Sequence, residues 1–159
     1  MVNRLRVLVA IMSFMLVVFP VMSKERSGVQ MAVDLKATGE QAKQNSIPVM
    51  MFFAAEDCGF CERLEADHLH NMANSNEYQK KIIIRKVVID SYGDLRNFSG
   101  KVVDNSTFSD DYNIQVTPTL VLVDNKGVRV GRRIVGYNGS DFFGTEIDNV
   151  IELATQKIR

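Results

Sequence analysis

Apolar residues fall along this chain in runs of three kinds. The first, Val7 to Val21, is almost wholly apolar and broken only by Ser13 and Pro20. The second kind has strand length: Val49-Met50-Met51-Phe52-Phe53-Ala54 and Thr119-Leu120-Val121-Leu122-Val123 are continuous rather than alternating, as in strands covered on both faces. Pro48 marks the entrance of the first, where a missing backbone donor costs least. Ile82 to Ile89 is another strand, holding Arg85 and Lys86. The third kind recurs at helical spacing. Asp34 to Asn45 has helix-forming composition, weakened by Gly39. Glu62 to Asn71 reads as helix, with Leu64 and His68 sharing a face with Cys61. Ser106 to Tyr112 reads as a short helix, Phe108 and Tyr112 standing at i, i+4. Phe143, Ile147, Val150, Ile151 and Leu153 make an amphipathic stripe in a final helix that Ser140 can cap. Asp124-Asn125-Lys126-Gly127 supplies turn chemistry, and Val128 to Val135 returns as a hairpin partner. Residues 91–105, with Gly93, Asn97, Ser99, Gly100 and Asn105, read as a long loop or insertion. The order helix, strand, helix, strand, helix, hairpin, helix is that of a single layered α/β domain.

The flanks of the first run set it apart. Arg4 and Arg6 precede it with no acid, it is shorter than the roughly 20 residues a spanning helix prefers, and Val21-Met22-Ser23 offers a cleavage site before Lys24. Residues 1–23 therefore read as a secretory signal peptide, with an uncleaved membrane anchor as the alternative; either puts the rest outside the cytoplasm. Residues 24–33 read as a leader, polar and loose over 24–30, and residues 34–159 as the domain. The 136 residues beyond the signal suffice for one core. Removing the signal turns 19 basic against 19 acidic residues into 17 against 19, and no basic block appears. That balance argues against nucleic acid or an anionic membrane surface as a partner. With no separate dimerisation domain in view, a monomer is expected.

Cys58-Gly59-Phe60-Cys61 holds the only two cysteines in the chain. Three positions apart, they can close on each other or exchange with a partner's disulfide, but they cannot staple distant parts of a fold. A strand ending at Ala55 and a helix beginning near Cys58 put the first sulfur at a helix N-terminus, where unpaired amides and the helix dipole favour a thiolate. A thiol with a pKa of about 8.5 is only about 3% ionised at pH 7, and lowering it to about 7 makes half of it nucleophilic. Cys58 is thus the candidate nucleophile. Cys61, one turn on, is placed to attack a mixed disulfide and release the partner. Two other readings compete. As a structural disulfide, so short a loop contributes only about 2 kcal/mol of chain entropy. As half of a metal site, the pair lacks ligands: the only histidines, His68 and His70, stand at i, i+2 and diverge, leaving tetrahedral zinc without a fourth ligand. No metal and no cofactor beyond the cysteine pair is expected.

Ala55-Glu56-Asp57-Cys58-Gly59-Phe60-Cys61 after an apolar strand, followed by Val116-Thr117-Pro118-Thr119 before another, resembles the thioredoxin-like superfamily over most of residues 34–155. The resemblance implies an α/β thioredoxin-like fold, with a central mixed β-sheet flanked by helices and an insertion before the cis-Pro strand. It implies a cis Pro118 facing the cysteines, with Thr117, Gly59 and Phe60 lining the substrate surface. Proline tolerates the cis bond and, lacking an N–H, leaves nearby backbone free to pair with an extended substrate. The export signal, the Gly-Phe dipeptide and the Thr-Pro pair point within the family to bacterial periplasmic branches, namely sulfur-oxidation-linked thioredoxins and catalytic domains of disulfide isomerases. The implied activity is a periplasmic thiol–disulfide oxidoreductase, reductase rather than oxidase, acting on a protein or small-molecule disulfide and recharged by a membrane electron donor. A thioredoxin-fold adaptor or chaperone whose cysteines only switch its surface is the alternative. Classical thioredoxins within the family carry a buried aspartate six residues before the first cysteine and a tryptophan just before it. Here these places hold Phe52 and Asp57, and the chain has no tryptophan. Lys86 stands near the place of the lysine that pairs with that aspartate. Proton transfer at Cys61 then falls to water, Glu56 or Asp57, whose charge also opposes a thiolate at Cys58.

Overall fold

The computed structural model describes residues 28–139 and 141–159. The signal segment 1–23 and Ser140, the expected cap of the last helix, lie outside the described residues. In chain order the elements are α1 (Leu35–Asn45), β1 (Val49–Ala54), α2 (Gly59–Leu64), a π-helical turn over Glu65–Leu69, α3 (His70–Asn74), a 3-10 turn over Tyr78–Lys80, β2 (Ile83–Val88), β3 (Asp94–Arg96), β4 (Val102–Asp104), α4 (Asn105–Asp111), β5 (Thr119–Val123), β6 (Ile134–Val135) and α5 (Phe143–Ile158).

The main sheet runs β2-β1-β5-β6. β1 pairs parallel with β2 and antiparallel with β5, and β6 closes the far edge antiparallel to β5. The unbroken apolar run of β1 is explained by two cores, one on each face. Met50, Phe52 and Ala54 join Cys61, Leu64, Leu120, Leu122, Ile147 and Val150. Val49, Met51 and Phe53 join Leu35, Ala42, Phe108, Val121 and Val123. The register pairs Phe53 with Thr119, so the residues that follow β1 meet those that precede β5. That juxtaposition places the cysteines beside the Thr-Pro pair.

Local chemistry sets the helices. Asp34 caps α1 by accepting from the Ala37 amide at 2.9 Å. Gly39, buried in mid-helix, has a packing reason: a Cβ there would stand 2.4 Å from the carbonyl oxygen of Asn125 in the turn after β5. Phe108 of α4 and Tyr112, its C-cap residue, meet with ring centroids 5.1 Å apart, as their spacing predicts.

Several expectations are corrected. The leader is packed over its described part: the Lys86 amide donates to the Gln30 carbonyl and the Ala32 amide to the Lys86 carbonyl, both at 2.8 Å, while Val29 and Ala32 are buried. β2 is an edge strand, and its free backbone groups recruit this segment. Residues 91–105 contain the β3–β4 hairpin, with the side-chain oxygen of Asn97 accepting from the Ser99 and Lys101 amides across the tip and Leu95 buried beneath. The expected partner strand over Val128–Val135 shrinks to β6 and one bridge at Arg129, with a bend at Gly131 between them. In α5, Leu153 is 53% exposed and Ala154 is buried in its place. Ile147, Val150, Ile151 and Ala154 keep the i, i+3, i+4, i+7 spacing that Leu153 misses by one residue. α5 begins at Phe143, with Phe142 at its N-cap position and no side-chain cap.

Candidate active site

β1 ends at Ala54, and a tight turn through Glu56 and Asp57, the latter at φ 52°, delivers the chain to α2. The Asp90 carboxylate holds this turn by accepting from the Glu56 amide at 2.8 Å. Cys58 is the N-cap residue of α2. Its Sγ accepts from the Cys61 amide at 3.2 Å, so the sulfur takes the place usually filled by a serine or aspartate oxygen. Cys58 and Cys61 are joined in a disulfide. The two sulfurs are unequal: Cys58 is half-buried at the surface, while Cys61 is 2% exposed within the apolar cluster.

Thr117 lies against the outer sulfur, its hydroxyl donating to Cys58 Sγ at 3.6 Å. The Thr117–Pro118 peptide bond is cis and Pro118 is buried. This loop is braced on both sides, by the Thr119 hydroxyl donating to the Val116 carbonyl at 2.7 Å and by the Gly136 amide donating to the Pro118 carbonyl at 2.8 Å. Gly59 is exposed with open space around it, Phe60 is 58% exposed, and Val116 is exposed nearby in sequence to Thr117. Cys58, Cys61, Thr117 and Pro118 therefore converge, with Gly59 and Phe60 on the outer surface of the helix start.

The sequence matches the model of the thioredoxin-like domain over residues 35–151. The chain belongs to the thioredoxin-like family. Similar solved structures include a thioredoxin h from poplar, 20% identical over 73% of this chain and 86% of that one, with a TM-score of 0.52. Fasciola hepatica thioredoxin is 19% identical over 77% of this chain and 96% of its own, with a TM-score of 0.53. Mitochondrial thioredoxin 3 of Saccharomyces cerevisiae is 20% identical over 78% and 93%, with a TM-score of 0.52. At these identities the likeness is one of fold. No curated protein sequence matches the chain. Fold and disulfide together make this a thioredoxin-like redox protein.

The charged residues around the thioredoxin-like site differ from expectation in one respect. Glu56 and Asp57 are exposed on the turn, and among the described residues neither carboxylate makes a hydrogen bond or ion pair. Lys86 instead finds Glu65, with Nζ 2.7 Å from Oε2, and lies 5.5 Å from the centroid of the Phe52 ring. Sequence reasoning missed Glu65. Its signal was available in the i, i+4 spacing from Cys61, but nothing along the chain tied it to β2.

His68 packs against Tyr137 and Phe143, with centroids at 5.7 and 5.6 Å, while His70 lies near Gly28 and is half-buried. The Tyr137 hydroxyl donates to Asp67 at 2.6 Å, which holds the phenol above its usual range and ties the π-helical turn to the loop after β6. Among the described residues no three His, Cys, Asp or Glu side chains converge on a metal position, and no helix is long and apolar enough to cross a membrane.

Proposed function

We propose that this protein is an extracytoplasmic thiol–disulfide oxidoreductase that works as a reductase. The observation that carries the reading is the asymmetry of the pair. Cys58 Sγ stands at the surface with an amide and a hydroxyl donating to it, and Cys61 waits behind it in the core. Donors at a helix N-terminus stabilise a thiolate. In the dithiol form, the Cys58 thiolate attacks one sulfur of a substrate disulfide, forming a mixed disulfide and releasing the first substrate thiolate. Cys61 then attacks Cys58 Sγ, the Cys58–Cys61 bond forms, and the second substrate thiolate leaves. Two electrons pass to the substrate, and an outside dithiol donor, for an exported protein one held in the membrane, must return them. Thr117 and the backbone around Pro118 receive an extended segment of the substrate beside the sulfur. The export signal read from residues 1–23 supports the location, and the acids Glu56 and Asp57 disfavour the very stable thiolate of a strong oxidant.

Insulin reduction tests this reading. The wild type with dithiothreitol turns over and Cys58→Ser does not. A protein with no turnover on any disulfide substrate would be an adaptor instead. The reduction potential tests the direction: a value near about −270 mV supports a reductase, and one near about −120 mV refutes it.

A further inference from the structure

The outer side of β2 is covered at both ends and open between them. Its amides alternate: Ile83 donates inward to the Pro48 carbonyl and Ile89 to that of Ala54, so those of Ile84 and Lys86 face out. The leader engages both backbone groups of Lys86, and at the strand entrance the Ile82 amide donates to the Tyr78 carbonyl at 2.9 Å. One further step of the leader ladder would bring the Gly28 carbonyl to the Ile84 amide and the Gln30 amide to the Ile84 carbonyl. The leader does neither. The Val29 amide turns to Glu65 Oε1 at 3.1 Å, and the Ile84 carbonyl accepts instead from Arg85 Nη1 at 2.9 Å. The outward Ile84 amide is left without a leader carbonyl, beside a cavity of about 540 Å³ whose lining includes Gln30, Met72, Gln79, Ile82, Ile84 and Arg85.

That cavity has donors and no acid. None of its lining residues is an aspartate or glutamate, and Arg85 is its one cation. Arg85 Nε donates to the Thr38 hydroxyl at 3.2 Å, so two of its five N–H donors are in use, both on neutral oxygens. Among the described residues no carboxylate lies within ion-pair distance of it. Burial pushes its guanidinium below the usual range, with no opposite charge to offset the effect. The acids of neighbouring segments are engaged elsewhere, Asp34 with Arg96 and the Ala37 amide, Glu65 with Lys86 and the Val29 amide. A half-buried cation held by neutral oxygens alone and an edge amide with no carbonyl both call for an anionic acceptor.

We propose that this cavity binds an aliphatic carboxylate, its oxygens on the remaining Arg85 N–H groups and the Ile84 amide, its apolar tail against Met72, Ile82 and Ile84. The guanidinium fork matches a carboxylate through two parallel hydrogen bonds, and the volume is that of a small-molecule site. The opening admits a chain end rather than a passing strand, because the leader closes one side at Gln30 and the 3-10 turn closes the other at Tyr78. The last residue of a peptide and a free short-chain acid both carry this chemistry. The site shares no residue with the cysteine pair or with Thr117 and Pro118, so it stands independently of the redox reading.

NMR titration of the isotope-labelled, oxidised protein tests the site with three probes: N-acetyl-leucine, isocaproate and the neutral N-acetyl-leucinamide. Both acids shift the Ile84 amide and Arg85 Nε–H signals saturably, and the neutral probe binds about 10–100-fold more weakly. Tighter binding of N-acetyl-leucine than of isocaproate assigns the ligand to a peptide end, and the reverse or equality assigns it to a free acid; either sustains the site. Arg85→Met loses affinity for the acids by a similar factor, and Arg85→Lys, which keeps the charge without the fork, recovers only part of it. An Ile84 amide unmoved by either acid at millimolar concentration overturns the proposal. So does a neutral probe that binds as tightly as the acids, or unchanged affinity in Arg85→Met. The comparison of acid with neutral probe is made on the wild type, so it decides the matter even where Arg85→Met fails to fold.

Discussion

Replacing Gly39 by alanine sets local propensity against tertiary packing, and the two predict opposite signs. In mid-helix, alanine is favoured over glycine by about 1 kcal/mol, so α1 alone predicts a more stable protein. The structure puts the new Cβ 2.4 Å from the Asn125 carbonyl oxygen and 3.3 Å from both the Asn125 carbonyl carbon and Phe98 Cδ1. The first contact is with backbone, which cannot swing aside. That backbone is tied down as well: Asp124 Oδ1 accepts from the Lys126 and Val128 amides at 2.8 and 2.9 Å, and the Gly127 amide donates to the Asp124 carbonyl at 3.1 Å. Either α1 or the turn must retreat by most of an ångström, overpacking that costs about 1–3 kcal/mol. The expected net change, the middle of that cost less the propensity gain, is a loss of about 1 kcal/mol. Urea unfolding of the oxidised protein reads it as a lower midpoint at unchanged slope, and a thermal scan as a fall of roughly 3–6 °C. Insulin reduction by the folded variant stays at the wild-type level, because β5 starts beside Thr117 and reaches this turn only at its other end. A variant as stable as the wild type, or more so, would refute the packing argument.

Two further outcomes test the site and the fold. Thr117→Val removes the hydroxyl that donates to Cys58 Sγ. The Cys58 thiolate is then less stabilised, and alkylation by iodoacetamide at pH 7 slows about 3–10-fold; an unchanged rate would show that the hydroxyl does not support the thiolate. Asp104 caps α4 by accepting from the amide and hydroxyl of Thr107 and the hydroxyl of Ser106, which hold its carboxyl well below the usual range. A carboxyl depressed in the folded state stabilises above its unfolded value of about 4 and ceases to do so as pH falls through the folded value. Asp104→Asn keeps a cap without that titration, so its acid unfolding curve is flatter below about pH 4; identical acid limbs in the two proteins would rule out this contribution.

Features set by composition and near-neighbour spacing were legible in the chain itself. The six buried residues of β1 and the five of β5 read as central strands because a strand covered on both faces has no polar position to spare. The start of α2 was legible because a Cys-Gly-Phe-Cys segment after such a strand has room only for a turn and a helix. The thioredoxin-like family followed from that segment together with Thr117 and Pro118, whose spacing carries the topology. Other features were decided by atoms far apart in sequence. The packed leader exists because β2 is an edge, and only the sheet order reveals which strand is an edge. Asn97 and Gly100 read as loop until Leu95 found a core to enter and made them the tip of a hairpin. Leu153 and Ala154 exchange roles because the direction of the α5 stripe is set by what it covers, not by which residue is larger. Glu65 and Lys86 illustrate the same division most sharply. Each is an ordinary charged residue on its own element, and only the packing of the π-helical turn against β2 makes them one pair at the edge of the core that holds Cys61.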